Sequence, residues 1–271
     1  MSNNLLIEKI KKYYSNKLTL VEFNDVIFPL NLDWKKIAFS ISGGADSAIL
    51  AYIICSHIQN LSELTTEVHF ISNIRMWETR PWQRYISINV FDFFKENFPN
   101  INFVRHENFI APEIETGNIG KIIPHPYIPG EFRGGDQLST ISFTKYICTR
   151  EKINAWFSGV TKNPPKKFYG SVEERDDPKE DIQEVILEHN NIYVCHPFRY
   201  KDKSWIISQY KNFELHNLLD LTRSCEGDKN SAPEVFKDLD FYSYTPNMKV
   251  PECGKCFWCK ERNWAKQQNG L

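Results

Sequence analysis

The chain reads as a doubly wound α/β protein, with a five-stranded parallel sheet covered by helices and a small C-terminal segment organised by cysteines. Three observations predict this. From residue 37 to about residue 213, short apolar stretches alternate with longer ones of helical periodicity. The first of those short stretches breaks into Ser42-Gly43-Gly44-Ala45-Asp46-Ser47. Four cysteines, Cys225, Cys253, Cys256 and Cys259, gather beyond the alternating region. Strands separated by helices need crossover connections, which make neighbouring strands parallel and place helices on both faces.

In chain order, residues 5–15 carry helical periodicity, and a mixed linker runs to about residue 34. Strands are predicted over 37–42, 67–73, 101–106, 153–160 and 193–197. Helices are predicted over 46–59, 81–98, 137–152 and 204–213. Two connections are long. Residues 108–135 are rich in Gly and Pro, and residues 161–190 hold Pro164-Pro165 and a charged run over 173–181. Connections of this length in a compact domain are usually functional or disordered. In an open α/β sheet they leave the carboxyl ends of strands, where ligands bind, so they are read as substrate-side loops. The expected organisation is a helix and linker over 1–34, an α/β domain over 35–215 and a metal-binding segment over 216–271.

Composition narrows the function classes. A hydrophobic content of 41% with 14% aromatics over 271 residues suits a packed globular protein. The net charge of −1 gives no general pull towards nucleic acid, which is not expected as the direct substrate. No apolar run reaches the length of a membrane span, and Met1-Ser2-Asn3-Asn4 has no signal-peptide character, so a cytoplasmic protein is expected.

The turn over 42–47 carries the chemistry. Gly43 and Gly44 permit backbone conformations closed to other residues and a close approach to a ligand. A helix starting near Asp46 would aim several N–H groups at an anion, with Ser42 and Ser47 adding hydroxyls. The competing reading is a tight turn before an N-capped helix. The spacing matches neither Gly-x-x-x-x-Gly-Lys-Ser/Thr nor Gly-x-Gly-x-x-Gly. Ser-Gly-Gly-x-Asp-Ser instead resembles the signature of the PP-loop ATP pyrophosphatases, a Rossmann-like superfamily of adenine-nucleotide α-hydrolases. That resemblance implies cleavage of ATP between its α and β phosphates.

Of the seven cysteines, Cys55, Cys148 and Cys195 sit in apolar stretches and read as buried thiols. Cys253, Cys256 and Cys259 form Cys-x-x-Cys-x-x-Cys, and Cys225 can add a fourth thiolate. Four thiolates with two-residue turns suit a structural Zn²⁺. The same triplet spacing also serves iron–sulfur clusters and redox thiols.

Together the two motifs resemble 7-cyano-7-deazaguanine synthase. The match rests on Ser224-Cys225, on Cys253-Gly254-Lys255-Cys256-Phe257-Trp258-Cys259 with Arg262, on His196-Pro197-Phe198 before Asp202-Lys203-Ser204-Trp205, and on Ile128-Pro129-Gly130. Residues 227–251 lengthen the segment between the first cysteine and the triplet. Gly159-Val160-Thr161 and Glu131-Phe132-Arg133 stand where the family carries its substrate-base residues. The resemblance implies a deazapurine-like carboxylate substrate and ammonia, with ATP, Mg²⁺ and Zn²⁺ as cofactors. Asp46, Ser47 and Lys203 are then the catalytic candidates. Ser42, Gly43, Gly44 and Ser47 would hold the nucleotide phosphates with Lys203 and Arg133 as candidate cations for them, and Asp46, also part of the nucleotide site, would cap the helix and assist Mg²⁺. Adenine would lie near Ser72 and Asn73, just past the second strand, and Trp77, Trp82 and Phe132 are stacking candidates. Three alternatives stay open: an RNA thiolase of the same superfamily, an amide-forming ligase on another substrate, and a non-catalytic nucleotide-binding module. A homodimer is one assembly open to the chain.

Overall fold

The computed structural model describes residues 10–14, 19–31, 33–61, 66–75, 82–110, 123–124, 132–133, 135–164, 182–187, 190–225 and 252–271. Strands are β1 (Ile10–Tyr14), β2 (Thr19–Phe23), β3 (Val26–Pro29), β4 (Lys36–Ser40), β5 (Glu67–Arg75), β6 (Asn102–Ile110), β7 (Ile123–Pro124), β8 (Phe132–Arg133), β9 (Ala155–Phe157), β10 (Ile182–Leu187) and β11 (Asn190–Cys195). Helices are α1 (Ala45–Asn60), α2 (Gln83–Asn97), α3 (Gly135–Glu151), α4 (Lys203–Asn212), α5 (His216–Leu221) and α6 (Phe257–Gln268).

The central sheet has the order β10-β11-β9-β4-β5-β6. Its β11, β9, β4, β5 and β6 run parallel, as the alternating pattern requires, and β10 adds an antiparallel edge to β11. The first strand of the parallel set, β4, is central. The chain winds outward from it through β5 and β6, then returns to its other side with β9 and β11. The sheet therefore reverses its winding beside β4, the switch point at which doubly wound sheets open a crevice.

Side-chain alternation explains the two layers. On β4 and β5, Ile37, Phe39, Val68 and Phe70 enter a large core with Ile49, Ile53, Val90, Phe94, Ile206 and Tyr210 of α1, α2 and α4. Ala38 and Ile71 point to the other face and meet Ile147 and Cys148 of α3. Cys55, Cys148 and Cys195 are fully buried, and burial pushes their thiols up, Cys148 to about 12.

Several expectations are corrected. Residues 10–14 are a strand, not part of a helix, and they open a three-stranded antiparallel meander β1-β2-β3. Residues 5–9 of that predicted helix lie outside the described residues. Too few apolar positions separate the two periods there. The decision falls to pairing with β2, whose Val21 and Phe23 are buried, in the register Ile10↔Phe23. Asn24 and Asp25 take φ of 44° and 62°, the left-handed pair that a two-residue hairpin needs, and this is a legible turn signal. The stretch 161–190 is not all loop, because β10 lies in it and hairpins onto β11. Strands β5 and β6 each run nine residues and end later than predicted, whereas β9 has three. Val21, Phe28, Cys225, Cys256, Cys259 and Ala265 all belong to the larger core. Among the described residues, no helix is long and apolar enough to cross a membrane.

Candidate active site and metal centre

The turn leaving β4 sits at the switch point. Gly43 adopts a left-handed φ of 81°, and a Cβ there would meet Ile86 Cγ2 at 2.7 Å, so only glycine fits between turn and α2. Ser42 is exposed, and its Oγ accepts from the Gly44 N–H at 3.3 Å. Gly44 is the N-cap of α1 and provides no side-chain cap. Asp46 therefore does not cap the helix, as had been expected. The helix starts one residue earlier, so Asp46 falls inside its first turn. No hydrogen bond occupies the main-chain N–H groups of Ala45, Asp46 and Ser47 among the described residues. They leave a positive, unsatisfied helix terminus at the crevice.

Asp46 pairs instead with Lys203, which donates its Nζ hydrogen bond to Oδ2. Lys203 is the first residue of α4, set by Asp202 at the N-cap, whose side chain accepts from the Trp205 N–H at 3.0 Å. Its side chain is 3% exposed, and that of Asp46 is 21% exposed. The pair ties the start of α4 to the start of α1. Asp46 Oδ1 is buried and has no hydrogen-bond partner, leaving a carboxylate oxygen open beside the free N–H groups. Such an oxygen suits a hard cation such as Mg²⁺ bridging phosphates. Ser47 is buried and donates to the Gly44 carbonyl at 3.2 Å.

Ser72 and Asn73 lie within β5 rather than just past it. Ser72 is 1% exposed with its hydroxyl unpartnered, and Asn73 accepts from Asn108 Nδ2 at 2.7 Å. Asn73 and Ser42 both line a cleft of about 140 Å³, with Ser40, Gln83 and Thr140. Trp82 is 2% exposed and belongs to the core, so it offers no face for stacking. Trp77 and the side chains of Phe132 and Arg133 lie outside the described residues.

Three supports of the turn went unforeseen. Gly159, just past β9, has its Cα against α1, and a Cβ there would stand 2.8 Å from Ser47 N. Tyr210 on α4 donates its hydroxyl to the Ala45 carbonyl at 2.7 Å. The Arg223 main-chain N–H donates to the Gly43 carbonyl at 2.9 Å. Only Gly159 carries a local signal, a glycine directly after a strand.

The structure brings Cys225, Cys253, Cys256 and Cys259 together, with their Sγ atoms within 4.8 Å of one another. Gly254, at a φ of 69°, turns the chain so that the Cys256 N–H donates to Cys253 Sγ at 3.3 Å. The Cys253 N–H donates to Cys225 Sγ, also at 3.3 Å. Hydrogen bonds with Cys225 and then Cys259 pull the Cys256 thiol down, while those with Cys225 and Cys256 push Cys259 up, so the sulfurs share protons rather than titrating singly. A tetrahedral ion with metal–sulfur bonds of about 2.3 Å needs sulfurs about 3.8 Å apart, so the donor set fits one metal ion. Arg262, 2% exposed, holds the knuckle to the core through Thr222 Oγ1 at 3.0 Å and the Leu219 carbonyl at 2.8 Å.

No family model matches the chain, and no curated protein matches it. Among solved structures it is similar to the U34-tRNA thiolase NcsA from Methanococcus maripaludis with its 4Fe–4S cluster. That match has 12% identity and a TM-score of 0.44, covering 89% of this chain and 75% of that one. It is also similar to Candida glabrata FMN adenylyltransferase in complex with FMN and an ATP analogue, at 14% identity and a TM-score of 0.36, covering 66% of this chain. The chain spans 48% of the length of that adenylyltransferase.

Proposed function

We propose that this chain is an ATP-using enzyme of the PP-loop type that adenylates a substrate carboxylate, releases pyrophosphate and transfers the acyl group to ammonia. The observation that carries the reading is the uncapped start of α1 behind Ser42-Gly43-Gly44 at the sheet's switch point, with the Lys203–Asp46 pair beside it. Free N–H groups and a fixed cation at one spot suit charge that develops on a transferring phosphoryl group.

The substrate we propose is 7-carboxy-7-deazaguanine, from the resemblance of residues 224–225 and 253–262 together with the turn. Its carboxylate oxygen attacks the α-phosphorus of ATP, and pyrophosphate leaves. Ammonia then displaces AMP, giving an amide and shedding a proton. The amide oxygen then attacks the α-phosphorus of a second ATP and a second pyrophosphate leaves, after which loss of AMP and the two amide protons gives the nitrile. Through these steps the N–H groups of Ala45, Asp46 and Ser47 hold phosphate oxygens, and Ser42 and Ser47 add hydroxyls. Lys203 aims Asp46 through their ion pair, and Asp46 Oδ1 would hold Mg²⁺, which would supply charge neutralisation on the phosphates. The cleft lined by Ser42 and Asn73 receives the adenine end.

For the cysteine cluster we propose one structural Zn²⁺. Sulfurs within 4.8 Å of one another suit a single ion better than a cubane, which sets a separate iron on each thiolate and spreads them.

The test is nucleotide turnover by the full chain. AMP and pyrophosphate release that requires both 7-carboxy-7-deazaguanine and ammonium supports the whole reading. Release without either dependence removes the substrate and keeps the chemistry. ADP and phosphate as products reject both. Metal analysis should find one zinc per chain, and iron with sulfide would overturn the zinc assignment.

A further inference from the structure

The metal knuckle and the phosphate turn meet through one short segment, residues 222–225. Thr222 ends α5 in extended backbone, at φ −86° and ψ 152°, and is fully buried. Arg262 of α6 clamps it at Oγ1. The Arg223 N–H donates to the Gly43 carbonyl at 2.9 Å, and the Arg223 carbonyl lies 3.7 Å from where a Gly44 Cβ would stand. Two residues later Cys225 supplies one of the four sulfurs. Gly43 is also the residue whose left-handed φ sets the direction of the turn. One main-chain hydrogen bond thus joins the conformation of the turn to the segment that carries a metal ligand.

We propose that the metal-loaded knuckle is a latch for the phosphate turn, with the main-chain N–H of Arg223 as the positioning group. Metal on Cys225 fixes residues 222–225 in extended form, and the Arg223 N–H then holds the Gly43 carbonyl away from the anion site. With the carbonyl turned aside, the N–H groups of the turn and of α1 face one way. Loss of metal frees Cys225, and the Gly43 carbonyl regains the freedom to rotate into the space a phosphate needs. The geometry makes nucleotide binding report on metal occupancy, although the sulfurs touch no nucleotide. This inference rests on the proposed metal and nucleotide assignments.

The test uses two variants at position 223 and two readouts. Arg223→Pro removes the main-chain N–H together with the guanidinium bonds to the Asp220 and Thr222 carbonyls, and the extended backbone of Thr222 is the conformation a residue before proline adopts. Arg223→Ala loses the same side-chain bonds and keeps the N–H, so it isolates the main-chain contribution. Amide hydrogen exchange is followed across residues 42–47 and, as a reference, across β5. The affinity of a non-hydrolysable ATP analogue is measured by calorimetry. In the zinc-loaded full chain, Arg223→Pro is expected to speed exchange over 42–47 and to weaken the analogue at least about tenfold at unchanged zinc content. Arg223→Ala should match the parent in both readouts. Chelating zinc from the parent should reproduce the proline phenotype, and zinc re-addition should reverse it. The latch is overturned if a zinc-loaded proline variant exchanges like the parent over 42–47. It is equally overturned if chelation speeds exchange in β5 as much as in the turn, because that is general unfolding. A parent that binds no ATP analogue sinks the nucleotide assignment, while the exchange data still decide the coupling.

Discussion

Two polar clusters sit on the same sheet and are built in opposite ways. At the carboxyl ends of the strands, the glycine turn leaves helix N–H groups, Asp46 Oδ1 and the Ser72 hydroxyl without partners among the described residues. Towards the opposite end, under α3, a chain of side chains satisfies itself. Arg150 donates to His106 Nδ1 at 3.3 Å, and His106 and His69 share a 2.8 Å bond. His69 Nε2 meets Glu67 at 2.7 Å, and Asn102 and Lys36 take up the rest of that carboxylate. One set of tautomers runs through all of these bonds: Arg150 gives to His106, His106 to His69, and His69 to Glu67. Burial holds both histidines neutral by lowering their pKa values, that of His106 to about 4. Buried polar groups are costly unless paired, so a closed cluster serves the fold. An open one persists where a ligand completes it. Under the proposed function, the open end of the sheet carries the chemistry and the closed end the stability.

The sharpest way to break this contrast is at the Lys203–Asp46 pair. Lys203→Met leaves Asp46 charged and unpaired at the turn, at a cost of about 3–5 kcal/mol, and should abolish AMP formation. Denaturant melts and turnover check both halves, and a variant with parental activity would remove Lys203 from the site. The closed cluster responds to acid instead. An unfolded histidine takes its proton near 6.5, while folded His106 resists until about 4. Between those values the unfolded chain binds more protons, so stability falls as pH drops from 6.5 to 4 and levels off below. A shift of this size is worth about 3 kcal/mol. Urea melts across that range test it, and a flat profile would mean that His106 is not held neutral.

Smaller effects sharpen the picture. Tyr210→Phe removes the donor to the buried Ala45 carbonyl and should cost about 1 kcal/mol, read as a lower melting temperature. Ser42→Ala touches only an exposed hydroxyl bonded to the Gly44 N–H. A few-fold rise in the ATP KM at unchanged stability is expected, and a large loss of stability would show that Ser42 belongs to the fold.

Much of this architecture is legible in the order of residues. The alternation of strand and helix, the glycine turn before α1 and the cysteine triplet are local, and their spacing alone implies parallel strands, an anion site and a metal knuckle. The N-terminal meander was misread because a handful of residues cannot separate a period of 3.6 from a period of 2. Its decisive signal, Asn24-Asp25, lies in the hairpin turn rather than in the strands. Strand β10 was hidden inside a charged loop, since an edge strand shows no continuous apolar run.

What the sequence by itself determined is the local pieces: a Ser-Gly-Gly turn ahead of a helix, and four thiols at knuckle spacing. The tertiary structure alone decided which groups meet there. Lys203 reaches Asp46 across 157 residues, Tyr210 reaches Ala45 across 165, and Arg262 reaches Thr222 across 40. Contacts so distant in sequence have no local periodicity or spacing to announce them. They exist only once the sheet reverses its winding beside β4, α4 packs against the helix that the turn begins, and α6 packs against α4.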